Sequence, residues 1–150
     1  MKKLILCSFI ACVMFACSSA KKANPTAAVS DTTKVTDTTQ LAGSWELNYV
    51  AGSTAVDSLY PTKKPVINFD MAAKRVSGNT GCNSFNGPLM VTGHKIDFTG
   101  PMALTKMFCT GQGETVFLDN LKKVNTWSVS DGNTLNFIMG DIAIMRFTKK

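Results

Sequence analysis

From residue 41 onward, apolar side chains alternate with polar ones in short runs, and turn-forming residues break the runs. A strand sends successive side chains to opposite faces, so a period of two marks strands with one buried face. Trp45 and Leu47 share the first run, followed by a stretch containing Gly, Ser and Pro. Ile67 and Phe69 form the second, which turns through Met71-Ala72-Ala73 toward Val76. Leu89, Met90 and Val91 precede a turn at Gly93-His94, and Ile96 and Phe98 follow it. Trp127 and Val129 run into Asp131-Gly132, a strong hairpin signal. Leu135 and Phe137 lead to Gly140-Asp141, after which Ala143, Met145 and Phe147 alternate to the end. These runs predict about eight strands.

Residues 114–124 break the period. Phe117, Leu118, Leu121 and Val124 fall on one face of a helix. Glu114 near its start and Lys122-Lys123 near its end have the signs that suit the helix dipole. The expectation is an all-β fold, mostly antiparallel and small-barrel-like, with one α-helix over an open edge or end. Curling toward closure protects edge strands that would otherwise pair with other chains.

The chain ahead of this domain has a different character. Lys2 and Lys3 precede an uncharged apolar run that ends at Phe15, and Ala16 is the small residue a signal peptidase requires. That run is shorter than the about 20 residues a membrane-spanning helix needs, so residues 1–16 read as a removable signal. Met14-Phe15-Ala16-Cys17 resembles a bacterial lipobox, although Met14 and Phe15 stand where Leu and Ala or Ser are commoner. Cys17 is therefore the expected site of lipid attachment, carrying acyl chains such as palmitate. Each buried lipid CH₂ contributes about 0.8 kcal/mol, so two or three chains on one cysteine anchor stably. Ser18 and Ser19 follow, with no Asp to resemble an inner-membrane retention signal, which points to the outer membrane, facing the periplasm. Residues 18–40 hold almost no large apolar side chain and read as a flexible tether with a span on the order of 25 Å.

Removal of Lys2 and Lys3 with the signal lowers the formal charge from +6 to +4. Lys21 and Lys22, beside the lipid, account for half of the remainder and favour an anionic membrane surface. No Lys/Arg cluster with interleaved aromatics appears, so nucleic-acid binding has no footprint. The organisation expected is one signal, one lipidated tether (residues 17–40) and one domain (residues 41–150), with no internal repeat.

Beyond the lipidated cysteine, the mature chain has Cys82 and Cys109. Outside the cytoplasm a lone pair favours a disulfide, closing a loop of about 28 residues and contributing roughly 3.5 kcal/mol on the chain-entropy account. Three other readings stay open: a Cys109 made reactive by the helix start, a metal site from Cys82, Cys109 and His94, and two buried free thiols. Residues 78–87 are rich in Gly and Asn and could present N–H groups to a phosphate. The preferred reading is a long polar connection, with Phe85 plugged into the core. His94 is the sole histidine and is expected on a solvated turn. No serine stands in a nucleophile elbow, and Asp70 and Asp97 read as surface acids. No catalytic residue, cofactor or metal is expected.

The order of motifs carries a family resemblance. Trp45-Glu46-Leu47, Phe69, Val76-Ser77-Gly78 and Gly81-Cys82-Asn83-x-Phe85-x-Gly87 are similar to the META domain of HslJ-like proteins. Thr105-Lys106-Met107-Phe108-Cys109, Glu114, Phe117-Leu118 and Leu121 continue it. Thr110 departs from the Pro often found after the second cysteine, and Phe108 from the usual small residue. The resemblance implies a barrel-like envelope lipoprotein domain linked to heat-shock or antibiotic stress, without established enzymatic activity. It implies structural roles for the motif: glycines for turns, Cys82 and Cys109 for bracing, Trp45 and Phe85 for core. The expected function is a monomeric, non-enzymatic lipoprotein that supports the envelope by binding an envelope protein or small ligand. The alternatives are a carrier with a cavity in a lipocalin-like barrel and an inhibitor or partner-binding module.

Overall fold

The computed structural model describes residues 37–53 and 55–150. The signal, Cys17 and nearly all of the tether lie outside the described residues. Ten strands form one sheet: β1 (Gly43–Val50), β2 (Val66–Asp70), β3 (Arg75–Asn79), β4 (Ser84–Pro88), β5 (Met90–Thr92), β6 (Lys95–Asp97), β7 (Ala103–Leu104), β8 (Thr126–Ser130), β9 (Thr134–Met139) and β10 (Ile142–Lys149). Among the described residues two helices, α1 (Val56–Leu59) and α2 (Gly113–Leu121), and a 3₁₀ turn at Thr38–Leu41 join the sheet.

The sheet order is β5-β6-β8-β9-β10-β1-β2-β3-β4-β7, every pair antiparallel. The first and last strands are thus neighbours near the middle of the sheet, with Trp45 opposite Lys149 on one side and Ile67 on the other. Register shifts in β1 between Leu47 and Tyr49, and in β10 between Ala143 and Met145, mark irregularities of the kind that bend strands. The sheet curls into a half-barrel. Its two edge strands, β5 and β7, come from one stretch of chain, and Leu89 between β4 and β5 is tied by its N–H to Lys74 O.

The concave face carries the alternating residues read from the sequence. Trp45, Leu47, Ile67, Phe69, Val76, Trp127, Leu135, Phe137 and Phe147 are all buried. Phe137 sits among Phe69, Phe98 and Phe147 at ring distances of 6.3, 5.2 and 5.1 Å. Edge-to-face and tilted aromatic pairs of this kind add to the burial of the rings themselves. Trp45 also donates its indole N–H to Leu41 O at 2.7 Å, so the 3₁₀ turn is locked to the core. Leu41 is itself fully buried, and Asp37 caps that turn through Thr39 N.

The eight expected strands are present, and two more join them. β4 presents only Phe85 and Gly87 to the interior, and β7 is two residues long. Neither offers an alternation of large apolar residues, which is why periodicity passes over both. Residues 78–87 are accordingly not a long connection: they are the end of β3, a tight turn and most of β4. The helix spans Gly113–Leu121, shorter than the expected 114–124, and residues 122–123 continue as a turn that brings Val124 into the core. Helix α1, in the Gly-, Ser- and Pro-containing stretch, has too few residues to show a period.

Candidate functional site

Asn79 ends β3 and Ser84 opens β4, facing each other across the ladder. The turn between them closes with Thr80 N–H to Asn83 O at 2.8 Å and Gly81 N–H to Asn79 Oδ1 at 3.0 Å. Gly81 has φ +91°, and a Cβ there would lie 2.6 Å from the Tyr60 ring and 3.0 Å from Lys63 O. Glycine is thus required twice at this position, by conformation and by space.

Asn83 joins this turn to the rest of the site. Its Oδ1 accepts from Met107 N–H at 2.7 Å and from the Thr105 hydroxyl at 2.8 Å. Its amide nitrogen donates to Met107 O at 3.1 Å and to Glu114 Oε1 at 3.1 Å. The backbone donor of Met107 fixes which end of the amide is oxygen. Glu114 Oε2 accepts from the Thr80 hydroxyl at 2.6 Å and from Asn83 N–H at 3.3 Å. The Thr105 hydroxyl oxygen also accepts from Ser84 N–H at 3.0 Å. Glu114 stands in the first turn of α2, where the helix dipole favours a carboxylate.

One buried side chain therefore binds three segments: the β3–β4 turn, the strand-like run after β7 and the start of α2. Cys82 and Cys109 add a disulfide between the first two, with Cα atoms 5.9 Å apart. Tyr60 closes the outer side, its hydroxyl donating to Gly113 O at 2.8 Å, and burial pushes its phenol up to about 12. A Cβ on Gly113 would lie 2.7 Å from that ring. Phe85 packs on the Phe117 ring at 5.9 Å and against Gly78, where a Cβ would come within 2.0 Å of Val66 O. A Cβ on Gly87 would meet Met102 at 2.8 Å. Gly78, Gly81, Cys82, Asn83, Phe85, Gly87, Thr105, Met107, Cys109 and Glu114 are thus gathered at one node and its supports. Trp45 serves elsewhere, in β1.

The other candidates separate. His94 lies on the β5–β6 turn, its ring 5.9 Å from Trp127 and its Nδ1 3.2 Å from Trp127 O, away from the cysteines. Cys82, Cys109 and Glu114 do cluster, but the sulfurs bond each other and both carboxylate oxygens already accept hydrogen bonds, so the donor set does not suit a cation. The turn's N–H groups point to Asn79, Asn83 and Glu114 rather than outward to a phosphate. Asp70 accepts from Ala73 N–H, and Asp97 accepts from Thr99 N–H. That backbone donor holds Asp97 below the usual carboxylate range. On the node's surface the side chains of Met107 and Phe108 project outward, 61% and 90% exposed.

A second region escaped sequence reasoning. At the far end of α2, an open hollow of about 970 Å³ is lined by Lys74, Lys95, Lys122 and Lys123. These lysines come from three separate segments, so no local pattern announces them. The only signal was Lys122-Lys123, which a helix dipole explains equally well.

The META domain profile matches residues 38–150, and the chain belongs to that family. No catalytic role is known for it. A solution NMR structure of a protein from Burkholderia xenovorans is similar at 20% identity and a TM-score of 0.57, covering 73% of this chain and 83% of that one. A second NMR structure matches at 22% identity and a TM-score of 0.53, covering 73% and 90%. A DUF4847 family protein from Bacteroides vulgatus ATCC 8482 matches at 12% and 0.50, covering 73% and 94%. These likenesses show the fold. No curated protein matches the chain.

Proposed function

We propose that this chain is a non-enzymatic envelope lipoprotein whose META domain acts by binding and supports the envelope under stress. Lipid on Cys17 tethers it, in the outer membrane and facing the periplasm. The observation that carries the reading is the node around Asn83. The residues that define the family motif bond one another, so the motif's chemistry goes into holding three segments together. Surface features, rather than a set of converging reactive groups, are what the domain offers to other molecules.

The test is a deletion strain of the host, challenged with heat and with envelope-directed antibiotics and complemented with variants. Wild type restores tolerance and incorporates labelled palmitate. Cys17→Ser loses the label and the membrane fractionation, and with them the tolerance. Full rescue by an unlipidated protein found in the cytoplasm would sink the proposal. So would a turnover that His94→Ala, Asp70→Asn or Asp97→Asn abolishes in a domain that still folds.

A further inference from the structure

The lysine-lined hollow is more than a charged face. Its floor is apolar, made by Leu89, Val91, Ile96 and Val124. Beside it lies a second hollow of about 320 Å³, and the two share Thr99 and Lys122 as common walls. The smaller one is lined by Phe85, Phe98, Met102, Leu104 and Leu118. Met102, Leu104 and Leu118 pack on the core while remaining only half-buried, so apolar surface is left open to this space. Both volumes fall in the range of about 300–1,000 Å³ that small-molecule sites occupy.

The charges are as informative. Among the described residues the ion pairs are Lys64 with Asp57 and Lys150 with Glu46. The four lysines of the hollow thus have no carboxylate partner among the described residues. Asp97, the one acid on the rim, stays ionised while it accepts from Thr99 N–H, so the lining carries four lysines and one carboxylate. The dipole of α2 accounts for Lys122 and Lys123, but Lys74 belongs to the β2–β3 turn and Lys95 to β6. Four lysines against one aspartate give the lining a net positive charge, which favours an anion there.

We propose that the paired hollows form a binding site for a single-chain anionic amphiphile. The acyl chain would enter the smaller hollow between α2 and β4–β7, and a carboxylate or phosphate head would lie among Lys74, Lys95, Lys122 and Lys123. Thr38 also lines the basic hollow, so the tether leaves the domain at its rim. A lipid on Cys17, as proposed above, would bring the domain to a bilayer, which is a source of such molecules. The inference rests on the reading that the domain acts by binding, and it supplies the ligand class.

The experiment uses the mature chain, residues 17–150, with Cys17→Ser, so that neither the signal's apolar run nor acyl chains compete. It is titrated calorimetrically with myristate and with myristoyl-lysophosphatidylglycerol below their micellar concentrations. Saturable one-to-one binding of either supports the site, and the tighter of the two identifies the head group. Lys74→Glu with Lys95→Glu should weaken binding at least about tenfold at low salt, with a smaller change at high salt. Leu118→Trp should abolish binding by filling the smaller hollow. If it lowers the melting temperature by more than a few degrees, Leu104→Trp is read in its place. Absence of saturable binding overturns the proposal. So does equal binding of tetradecanol, of inorganic phosphate alone, or of anionic vesicles without the monomeric amphiphile. Stress tolerance in the host keeps the two readings apart. Rescue by wild type without amphiphile binding removes this inference alone, and binding without rescue removes the envelope role alone.

Discussion

The two ends of helix α2 treat polarity in opposite ways. At its first turn Glu114 is held by Thr80 and Asn83, and the hydrogen bonds circulate among protein groups. Past its last turn Lys122 and Lys123 line an open hollow with Lys74 and Lys95, and among the described residues none of the four forms an ion pair. Only about 13 Å of helix separates the two settings at 1.5 Å per residue. A buried polar group with no partner is expensive, so selection for folding completes the first network. Exposed lysines cost the fold little, so their arrangement is free to serve something else. The density of hydrogen bonds around a motif therefore speaks for structure, and unanswered charge beside open apolar surface speaks for a ligand.

Breaking the first end should show the largest effect. Asn83→Ala leaves Met107 N–H, the Thr105 hydroxyl and Glu114 Oε1 without their buried partner, and we expect a loss of about 3–4 kcal/mol in urea unfolding. A loss under 1 kcal/mol would mean that the node is not what holds α2 to the β3–β4 turn. Next comes the disulfide, which joins residues 27 apart in sequence. Cys82→Ser with Cys109→Ser should lower stability by about 2–4 kcal/mol, less if the Asn83 bonds already restrict that loop. Measuring both variants and their combination tells whether the two braces act independently.

Tyr60 sharpens the comparison at alkaline pH. Its phenol titrates at about 12 in the folded state against 10.0 ordinarily, because burial disfavours the anion. The folded protein keeps a proton that the unfolded chain releases, so this contribution is intact below pH 10 and is lost as pH rises from 10 through 12. Tyr60→Phe should remove that part of the alkaline loss while costing about 1 kcal/mol at neutral pH for the bond to Gly113 O. Unfolding midpoints at pH 8 and 11, wild type against variant, check both statements. The smallest effect belongs to the other end of the helix. Single alanine substitutions at Lys74, Lys95, Lys122 and Lys123 should stay within about 0.5 kcal/mol. A loss of 2 kcal/mol at any of them would make the hollow a structural feature.

Much of the fold was legible because strands with one buried face must alternate. Asp131 and Gly132 both adopt positive φ at the β8–β9 turn, as the hairpin signal requires. The strands that went unread are the ones without that signal. β4 is inward-facing through one aromatic and one glycine, and β7 is defined by two ladder partners, Phe85 and Asn86. The helix was read from its apolar face, but its last residues were not, because a turn that still buries Val124 keeps the same periodicity as a helix. The site was legible as a motif and as a cysteine pair, but its centre was not. Nothing in the spacing of Asn83, Thr105, Met107 and Glu114 says that one amide serves the other three.

The sequence by itself determined the expectation of a signal with a lipid-attachment cysteine, the β character of residues 41–150 and the pairing of Cys82 with Cys109 as the preferred reading. Those follow from local rules: an apolar run of a given length, a period of two, and an even pair of thiols outside the cytoplasm. Only the tertiary structure decided that Asn83 links three distant segments and that four lysines from three segments share one hollow. Both depend on how the sheet curls and where α2 lies against it. Hydrogen bonds and electrostatic fields act through distance in space, which alternation along a chain does not encode.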